Sequence, residues 1–498
     1  MTKAGTDLDL LDDLIAKAKR AGADEADAML VRATSLEAAW RMGVNEGVER
    51  AEARDLGLRV LVGLPSPPCG PKPPAFAKPA PAFAKPAPAG EGRSAGEGRS
   101  GDGPKRSPGF AQAGRRQAVV SATEFGAGAL AELVERALAM ARAVPEDPYC
   151  GLPEPARIAR AVADLDLADD HEPSADELLA TASEAEDAAR AVAGVTNTEG
   201  AEASWSRSAV ALCASNGFAG SYAGTRFTVV ASVIAGSDTA MERDYDYHSA
   251  RHHGDLEPAG EIGKRAGERA VKRLGARKQP SGRVPVVFDR RVSGGFLRLL
   301  AMSVSGTAVA RGTSFLQDKL GETLFAGDID VIDDPLRPRG LASRPFDGEG
   351  VAGARRAVVE HGKLATWLLD SRSARQLGLE TTGHAVRGPS SVPAPGPSNL
   401  YMAAGAPSPE ALIGDIESGF YVTEMMGMSF NPTTGDYSRG AAGFWISHGA
   451  IAWPVSEMTV AGNLVEMFAH MTPASDLSFR YGLDAPTLRV DGMTVAGL

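Results

Sequence analysis

The chain has 498 residues, and its 52 Lys and Arg against 63 Asp and Glu leave a net charge of −11 at pH 7. Hydrophobic residues make up 43% and charged residues 23%, the balance of a soluble globular protein with a sizeable core, which excludes stapled mini-protein classes. The acidic total excludes a general nucleic-acid binder, because such a protein sets a basic face against the phosphates. Cys69, Cys150 and Cys213 are odd in number and far apart, so they form neither a disulfide framework nor a zinc ribbon. The acidic start MTKAGTDLDLLDDL lacks a signal peptide's basic and apolar regions, and no stretch reaches 18 apolar residues. The expectation is a cytoplasmic protein in a reducing compartment, with no membrane contact.

In chain order, Thr6 followed by Asp9 predicts a helix N-cap. Leu8, Leu11, Leu14, Ile15 and Ala18 then form one stripe at helical spacing, and Gly22 ends the helix. Four strand-like runs follow, Ala28–Ala33, Ser35–Met42, Gly47–Ala53 and Leu56–Val62. Glycine and proline together make 18% of the chain, and residues 64–114 concentrate them, with 12 Pro and 9 Gly in 51 positions. PAFAKPA and GEGRS each occur twice there, and three phenylalanines are too few for a core. A disordered Pro/Gly-rich insertion is expected, with Gly63 and Arg115 meeting across a hairpin once it is set aside. A helix is expected over Ala127–Ala143, and another from the capping box Ser174/Glu177 to about Val192. Alternation from Glu202 to Tyr247, with Asn216-Gly217 as a turn, predicts long antiparallel strands before a helix over Ala259–Leu274. Pro285–Asp289 reads as a buried strand, and Gly294-Gly295 as the approach to an apolar helix over 296–306. Beyond it the chain reads as strand and turn, with helices only at Ser408–Glu417 and Asn463–Ala469. The fold class is α+β: an N-terminal α/β domain (1–143, carrying the 64–114 insertion), a middle α+β region (144–276) and a mainly antiparallel β C-terminal domain (283–498).

Motif search yields no complete catalytic set. There is no nucleophile elbow, Walker loop or H-E-x-x-H. The one histidine cluster is His248, His252 and His253; RDYDY before it alternates like a strand, and no Glu follows His248 to act as a base. The stretch GMSFNPTTGDYSRGAAGFWISHG (427–449) combines turn chemistry at Asn431–Asp436 with a small-residue run at Gly440–Gly443.

The longer segment NPTTGDYSRGAAGFWISHGAIAWPVSEMTVAGNL (431–464) resembles the signature of the TldD/PmbA family, and within it the PmbA (TldE) branch. GTSFLQDKLGE (312–322), DDPLRPRGLASRPFDGEG (333–350), PSNLYM (397–402) and APTLRVDGMTVAG (485–497) extend the resemblance over nearly the whole chain, with 64–114 as the departure. The resemblance implies a two-subunit cytoplasmic zinc metallopeptidase that acts on unfolded peptides or small proteins. In that family the TldD-type partner carries H-E-x-x-x-H on an apolar helix: two His and a later Cys hold zinc, and the Glu activates water. Here Ala301 stands where the first His would be, Met302 where the Glu would be and Gly306 where the second His would be, and no Cys follows Cys213. The resemblance therefore implies no catalytic residue, no metal and no cofactor in this chain, with zinc in a TldD-like partner and homodimerisation as another assembly. The role expected is to shape the substrate chamber, with Thr433, Thr434, Gly435, Asp436, Tyr437, Gly440 and Gly443 as candidates for contact with peptide or partner, a peptide being held as an added strand. Two other readings stay open: a stand-alone metal-dependent peptidase using His248 and His253, and a non-enzymatic peptide-binding regulator acting through the proline-rich arm.

Overall fold

The computed structural model describes residues 2–63 and 115–497. Helix α1 (Thr2–Arg20) buries Leu11, Leu14, Ile15 and Ala18, with Leu8 packed beside them. It begins before Thr6, which therefore lies inside the helix and is not its N-cap. Gly22 ends the helix at φ +109°, a left-handed conformation open to glycine at little cost.

The four short runs expected next merge into two long strands, β1 (Glu25–Arg41) and β2 (Val44–Gly63). They pair antiparallel from Glu25↔Leu61 to Arg41↔Val44. The sequence reading broke them at charged and polar steps, which here face outward or pair across the ladder. β3 (Arg115–Ala122) adds to the last third of β2 with Gly63 opposite Arg115, as a hairpin between those residues requires. The segment 64–114 lies outside the described residues. Helix α2 (Ala127–Ala143) buries Leu130, Leu133, Val134, Leu138 and Ala141. Helix α3 (Ala175–Arg190) starts on the expected capping box, in which the Ser174 hydroxyl accepts from Glu177 N and the Glu177 carboxylate from Ser174 N. Such a cap stabilises a helix by about 1 kcal/mol.

Strands β4 (Val195–Ala214), β5 (Ala219–Ala235) and β6 (Glu242–Ala250) complete a six-stranded sheet of order β3-β2-β1-β4-β5-β6, antiparallel throughout. One sheet thus draws β1–β3 from residues 1–143 and β4–β6 from 144–276. Alternate residues of the strands face the helices. Ala26, Ala28 and Leu30 meet α1 and α2, while Trp205, Phe227 and Val229 meet α3 and α4 (Ala259–Lys272). Helix α4 lies so close on α3 that a Cβ at Gly263 would run into the Ala185 carbonyl. On the opposite face Met29, Leu61, Leu212 and Phe218 pack on Leu152 and Phe346, which joins this sheet to the C-terminal part.

After β7 (Gly282–Phe288) come α5 (Arg290–Ser303), α6 (Gly306–Arg311), β8 (Val331–Asp333), β9 (Arg356–Glu360), β10 (Lys363–Leu364), α7 (Ser371–Leu377), β11 (Ala385–Val386), β12 (Ala394–Pro395) and β13 (Leu400–Met402). The rest is α8 (Pro409–Ile413), β14 (Ser418–Phe430), β15 (Asp436–Ser447), β16 (Ala450–Asn463), α9 (Leu464–Ala469), β17 (Met471–Pro473), β18 (Leu483–Asp484) and β19 (Leu488–Ala496). The main sheet runs β16-β15-β14-β7-β19-β17, and β16 also pairs with β19 (Thr459↔Ala496), so five of its strands close on themselves. Its interior holds Phe288, Phe420, Met458, Val460 and Val490, all buried, each contributing roughly 1.5–3 kcal/mol by leaving water. A second sheet, β10-β9-β8-β13-β18, packs into the same core. The fold is α+β, as the alternating and helical patterns required. α8 is shorter than the helix expected over Ser408–Glu417, and α7 is a short helix with no apolar stripe to announce it.

Candidate functional site

The segment that carries the family's metal-binding pattern folds differently from the helix expected over 296–306. Asp289 caps α5 by accepting from Arg291 N at 2.9 Å, so the helix starts six residues before Phe296 and contains Gly294 and Gly295. Gly294 is needed inside it, because a Cβ there would run into the Leu483 carbonyl of β18. The helix stops at Ser303. Ser305 then makes a parallel bridge to Leu368, and Gly306 opens α6 with its N–H on the Leu368 carbonyl at 2.8 Å. Ala301 and Gly306 therefore sit on two different helices. Ala301 is buried in the core, whereas Met302 points outward and is half exposed. A Cβ at Gly306 would lie 2.5 Å from both Leu369 Cδ2 and Ser373 Oγ and 2.9 Å from Ser373 Cβ, so any side chain there must displace both residues.

The turn between β14 and β15 sits beyond the far end of α5. The Asn431 carboxamide oxygen accepts from Thr433 N at 3.0 Å. The Thr434 hydroxyl donates to Asp436 at 2.6 Å, and Asn463 Nδ2 donates to the Thr434 carbonyl at 2.9 Å and to Asp436 at 3.1 Å. The Thr434 hydroxyl and then Asn463 hold the Asp436 carboxyl below the usual range. Gly435 closes the turn at φ +81°. Thr433, Thr434 and Asp436 are exposed together, although their polar groups are largely spent on one another, while Gly435 is buried between them against Phe315 and Asn463. Tyr437 is not with them: its ring is buried against Phe296 of α5, centroids 5.8 Å apart. Gly440 and Gly443 lie on β15, which is hydrogen-bonded to β14 on one edge and β16 on the other. A peptide cannot add as a strand there, since both edges are filled. Gly443 has a packing reason of its own, because a Cβ there would run into the Tyr421 carbonyl.

The histidines do not converge. His248 is on β6, half-buried, with its Nδ1 accepting from Glu257 N at 3.0 Å; burial, then the neighbouring Arg480, push its pKa down. His253 packs instead on His171 and Phe227. Among the described residues no three His, Cys, Asp or Glu side chains are grouped to hold a metal ion. Burial pushes the Cys150 thiol up to about 11 and the Cys213 thiol up to about 12, the opposite of an activated nucleophile. Ser398, Asp333 and His384 form a buried chain, but the carboxylate lies between the hydroxyl and the imidazole. A nucleophile needs the imidazole in the middle, so this set is structural.

Sequence reasoning missed the charged seam between the two halves. Arg265 and Arg269 bind Asp246 at 2.7 and 2.8 Å, and Arg480 of the C-terminal part joins Glu257. Arg291 at the start of α5 binds Asp244 at 2.7 Å, and Arg273 pairs with Glu242, Asp244 and Glu424. Burial pushes Asp246 up, but Arg269, Arg265 and Arg480 outweigh it and hold its carboxyl below the usual range. A second seam buries Asp347 and Glu349 beside Arg59. Burial, then the Asp347 charge, push the Glu349 carboxyl up to about 7. The only local signal for the first seam was the alternation of acids in RDYDY; its cations come from elements far apart in sequence.

Two family profiles cover most of the chain: the PmbA/TldA metallopeptidase central domain over residues 168–274, and the PmbA/TldA metallopeptidase C-terminal domain over 281–497. The chain belongs to the TldD/PmbA family, in its PmbA (TldE) branch. It is 36% identical over 384 residues to Metalloprotease PmbA of Escherichia coli O157:H7, covering 77% of this chain and 83% of that one. It is 33% identical to the Metalloprotease PmbA homolog of Haemophilus influenzae, over 77% and 84% of the two chains. Its fold matches the crystal structure of TldE from Thermococcus kodakarensis with a TM-score of 0.77, at 20% identity over 98% of this chain and 99% of that one. The resemblance noted on 431–464 is therefore family membership. No helix among the described residues is long and apolar enough to cross a membrane.

Proposed function

We propose that this chain is the PmbA/TldE-type subunit of a cytoplasmic two-subunit zinc metallopeptidase that cleaves unfolded peptides or small proteins, and that it shapes the substrate chamber while a TldD-like partner holds the zinc. The observation that carries the reading is the state of the three positions matching H-E-x-x-x-H. Ala301 and Met302 offer no nitrogen ligand and no base, and Gly306 has no side chain and sits where one would have to displace Leu369 and Ser373. A zinc site needs three protein ligands and an open position, so the residues present do not fit the ion. No hydrolytic step is assigned to this chain. Its contribution is to bind and orient, and the exposed Thr433–Asp436 turn is its candidate contact with peptide or partner. A surface shaped for a homologous subunit also suits a second copy, so a homodimer is the expected state when the partner is absent.

Co-expression with a TldD-like subunit tests this. A stable complex should co-purify with one zinc per pair and cleave unfolded peptides, while this chain alone should not. Stoichiometric zinc in this chain alone, lost in His248→Ala/His253→Ala, would sink the reading in favour of a stand-alone peptidase. Failure to form a complex with any such subunit would do the same.

A further inference from the structure

At the end of β6, where the two halves meet, lies a cavity of about 240 Å3. Four arginines line it, Arg251, Arg337, Arg339 and Arg480, against two carboxylates, Asp255 and Asp484. The carboxylates are already spent. Asp255 takes Arg339 at 2.9 Å, and Asp484 accepts from the backbone N–H groups of Arg480, Tyr481 and Gly482 at 2.9, 2.7 and 3.1 Å. Arg480 is committed to Glu257 and to the Tyr247 carbonyl.

Two guanidinium groups are left without an ion pair among the described residues; Asp484 acts on Arg337 only at a distance and is already held by three backbone N–H groups. Arg251 donates only to carbonyls, of Thr225 at 3.1 Å, Gly340 at 3.2 Å and Leu341 at 2.6 Å. That uses three of its five N–H donors and neutralises nothing. Burial, then the nearby Arg226 charge, bring it down to about 10. Arg337 lies over the Phe479 ring, 3.2 Å from its centroid, and has no ion-pair partner among the described residues. In a chain of net charge −11, unpaired cations gathered in one concavity are out of keeping with the rest of the surface. A desolvated guanidinium is costly without an anion, and the planar fork of arginine matches a carboxylate.

We propose that this cavity binds a carboxylate of a peptide, either its C-terminus or an acidic side chain, with Arg337 and Arg251 as the groups that contact it. This rests on the reading above that the chain handles peptides. Ser249 also lines the cavity, its hydroxyl paired with Thr228 Oγ1 at 2.9 Å, whereas the Asn399 amide there is spent on Asp334 O and Ser343 Oγ. The location at the junction of the halves places the bound end of a peptide beside the seam that fixes α5.

The test is binding to the purified full-length chain, read by fluorescence anisotropy. The probes, each carrying an uncharged BODIPY dye on the N-terminus, are a penta-alanine with a free C-terminal carboxylate, its C-terminal amide, and an amidated Ala-Ala-Glu-Ala-Ala. At least one carboxylate peptide should bind tenfold or more tightly than the neutral amide, and the two separate a C-terminal from a side-chain ligand. Arg337→Gln should abolish the preference, and Arg337→Lys should keep part of it. The Arg337 side chain makes no hydrogen bond among the described residues, so its removal, which costs only the stacking on Phe479, should lower the melting temperature slightly. As a second variant, Ser249→Asp, which places a fixed anion in the cavity, should also abolish the preference. Equal binding of all three peptides, or a preference that survives both variants, overturns the site. Inorganic phosphate competing at the peptide's own concentration assigns the cavity to a free anion and overturns it too. Cleavage is not read here, so a complex that fails to cleave sinks the subunit role while the carboxylate preference stands, and the reverse outcome sinks only the site.

Discussion

Writing the family's metal-binding pattern back into this chain, with Ala301→His, Met302→Glu and Gly306→His, should destabilise it and still bind no zinc. At Gly306 the first side-chain atom would lie 2.5 Å from Leu369 and Ser373, so the imidazole must push the α6–α7 contact apart. Overpacking of that kind costs roughly 1–3 kcal/mol. At Ala301, 6% exposed, an imidazole without a partner adds roughly 1–3 kcal/mol. Met302, 48% exposed, accepts Glu at close to no cost. The total of about 2–6 kcal/mol is a large share of a stability of about 5–15 kcal/mol. The two new histidines would also stand on separate helices, with no third ligand grouped beside them among the described residues. Urea denaturation should show a lower midpoint for the triple variant, with Gly306→His the worst single change and Met302→Glu near neutral. Metal analysis after gel filtration should find no stoichiometric zinc. A triple variant that melts like the parent and retains one zinc per chain would show that the break between α5 and α6 is no barrier to a metal site.

Glu349→Gln should change how stability depends on pH. A carboxyl raised to about 7 in the folded chain keeps a proton that the unfolded chain, near 4.3, has lost. Stability is therefore full below about pH 4.5 and falls as pH rises toward 7. The variant should lose less than the parent between pH 5 and 8 in urea titrations; identical slopes would refute the assignment. Arg273→Ala leaves Glu242, Asp244 and Glu424 facing one another across the seam and should cost about 3 kcal/mol, with faster limited proteolysis between the halves. Gly443→Ala should lower the thermal midpoint sharply, because its Cβ meets the Tyr421 carbonyl. Gly440→Ala should lower it far less, since its nearest neighbour, Met426 Cβ, stands 3.3 Å away and need give only a few tenths of an ångström.

The features legible in the sequence are those decided within one turn of chain. The Ser174/Glu177 box and the stripe of Ala127–Ala143 were readable because cap and periodicity are local. Gly294-Gly295 misled for the opposite reason: the pair reads as the approach to a helix, but it lies inside α5, where the distant Leu483 carbonyl leaves Gly294 no room for a Cβ. The break at Val304–Ser305 is equally non-local, since Leu368 supplies the bridge. Of the residues singled out around 433–443, Thr433, Thr434 and Asp436 are exposed as turn chemistry predicts, while Gly435 is buried. Tyr437, Gly440 and Gly443 instead answer to the partners of β15, which no alternation pattern names. The arginine-lined cavity was illegible because Arg251, Arg337 and Arg480 come together only in the fold.

The closure of the C-terminal sheet has a consequence for synthesis. β7, its first strand to emerge, has β14 and β19 as neighbours, and the latter begins at Leu488. About 200 residues must follow β7 before the ring can shut, which at roughly 5–20 residues per second takes roughly 10–40 s. Over that interval Val286, Val287 and Phe288 are an apolar strand that first lacks both neighbours and, once β14 has emerged, still lacks β19. The amino-terminal sheet has all six strands by Ala250 and can form ahead of it. Ribosome-bound chains stalled after residue 470 should therefore show a protease-resistant amino-terminal half and a C-terminal half that is cut freely or captured by a chaperone; equal resistance in both halves would refute this order of folding.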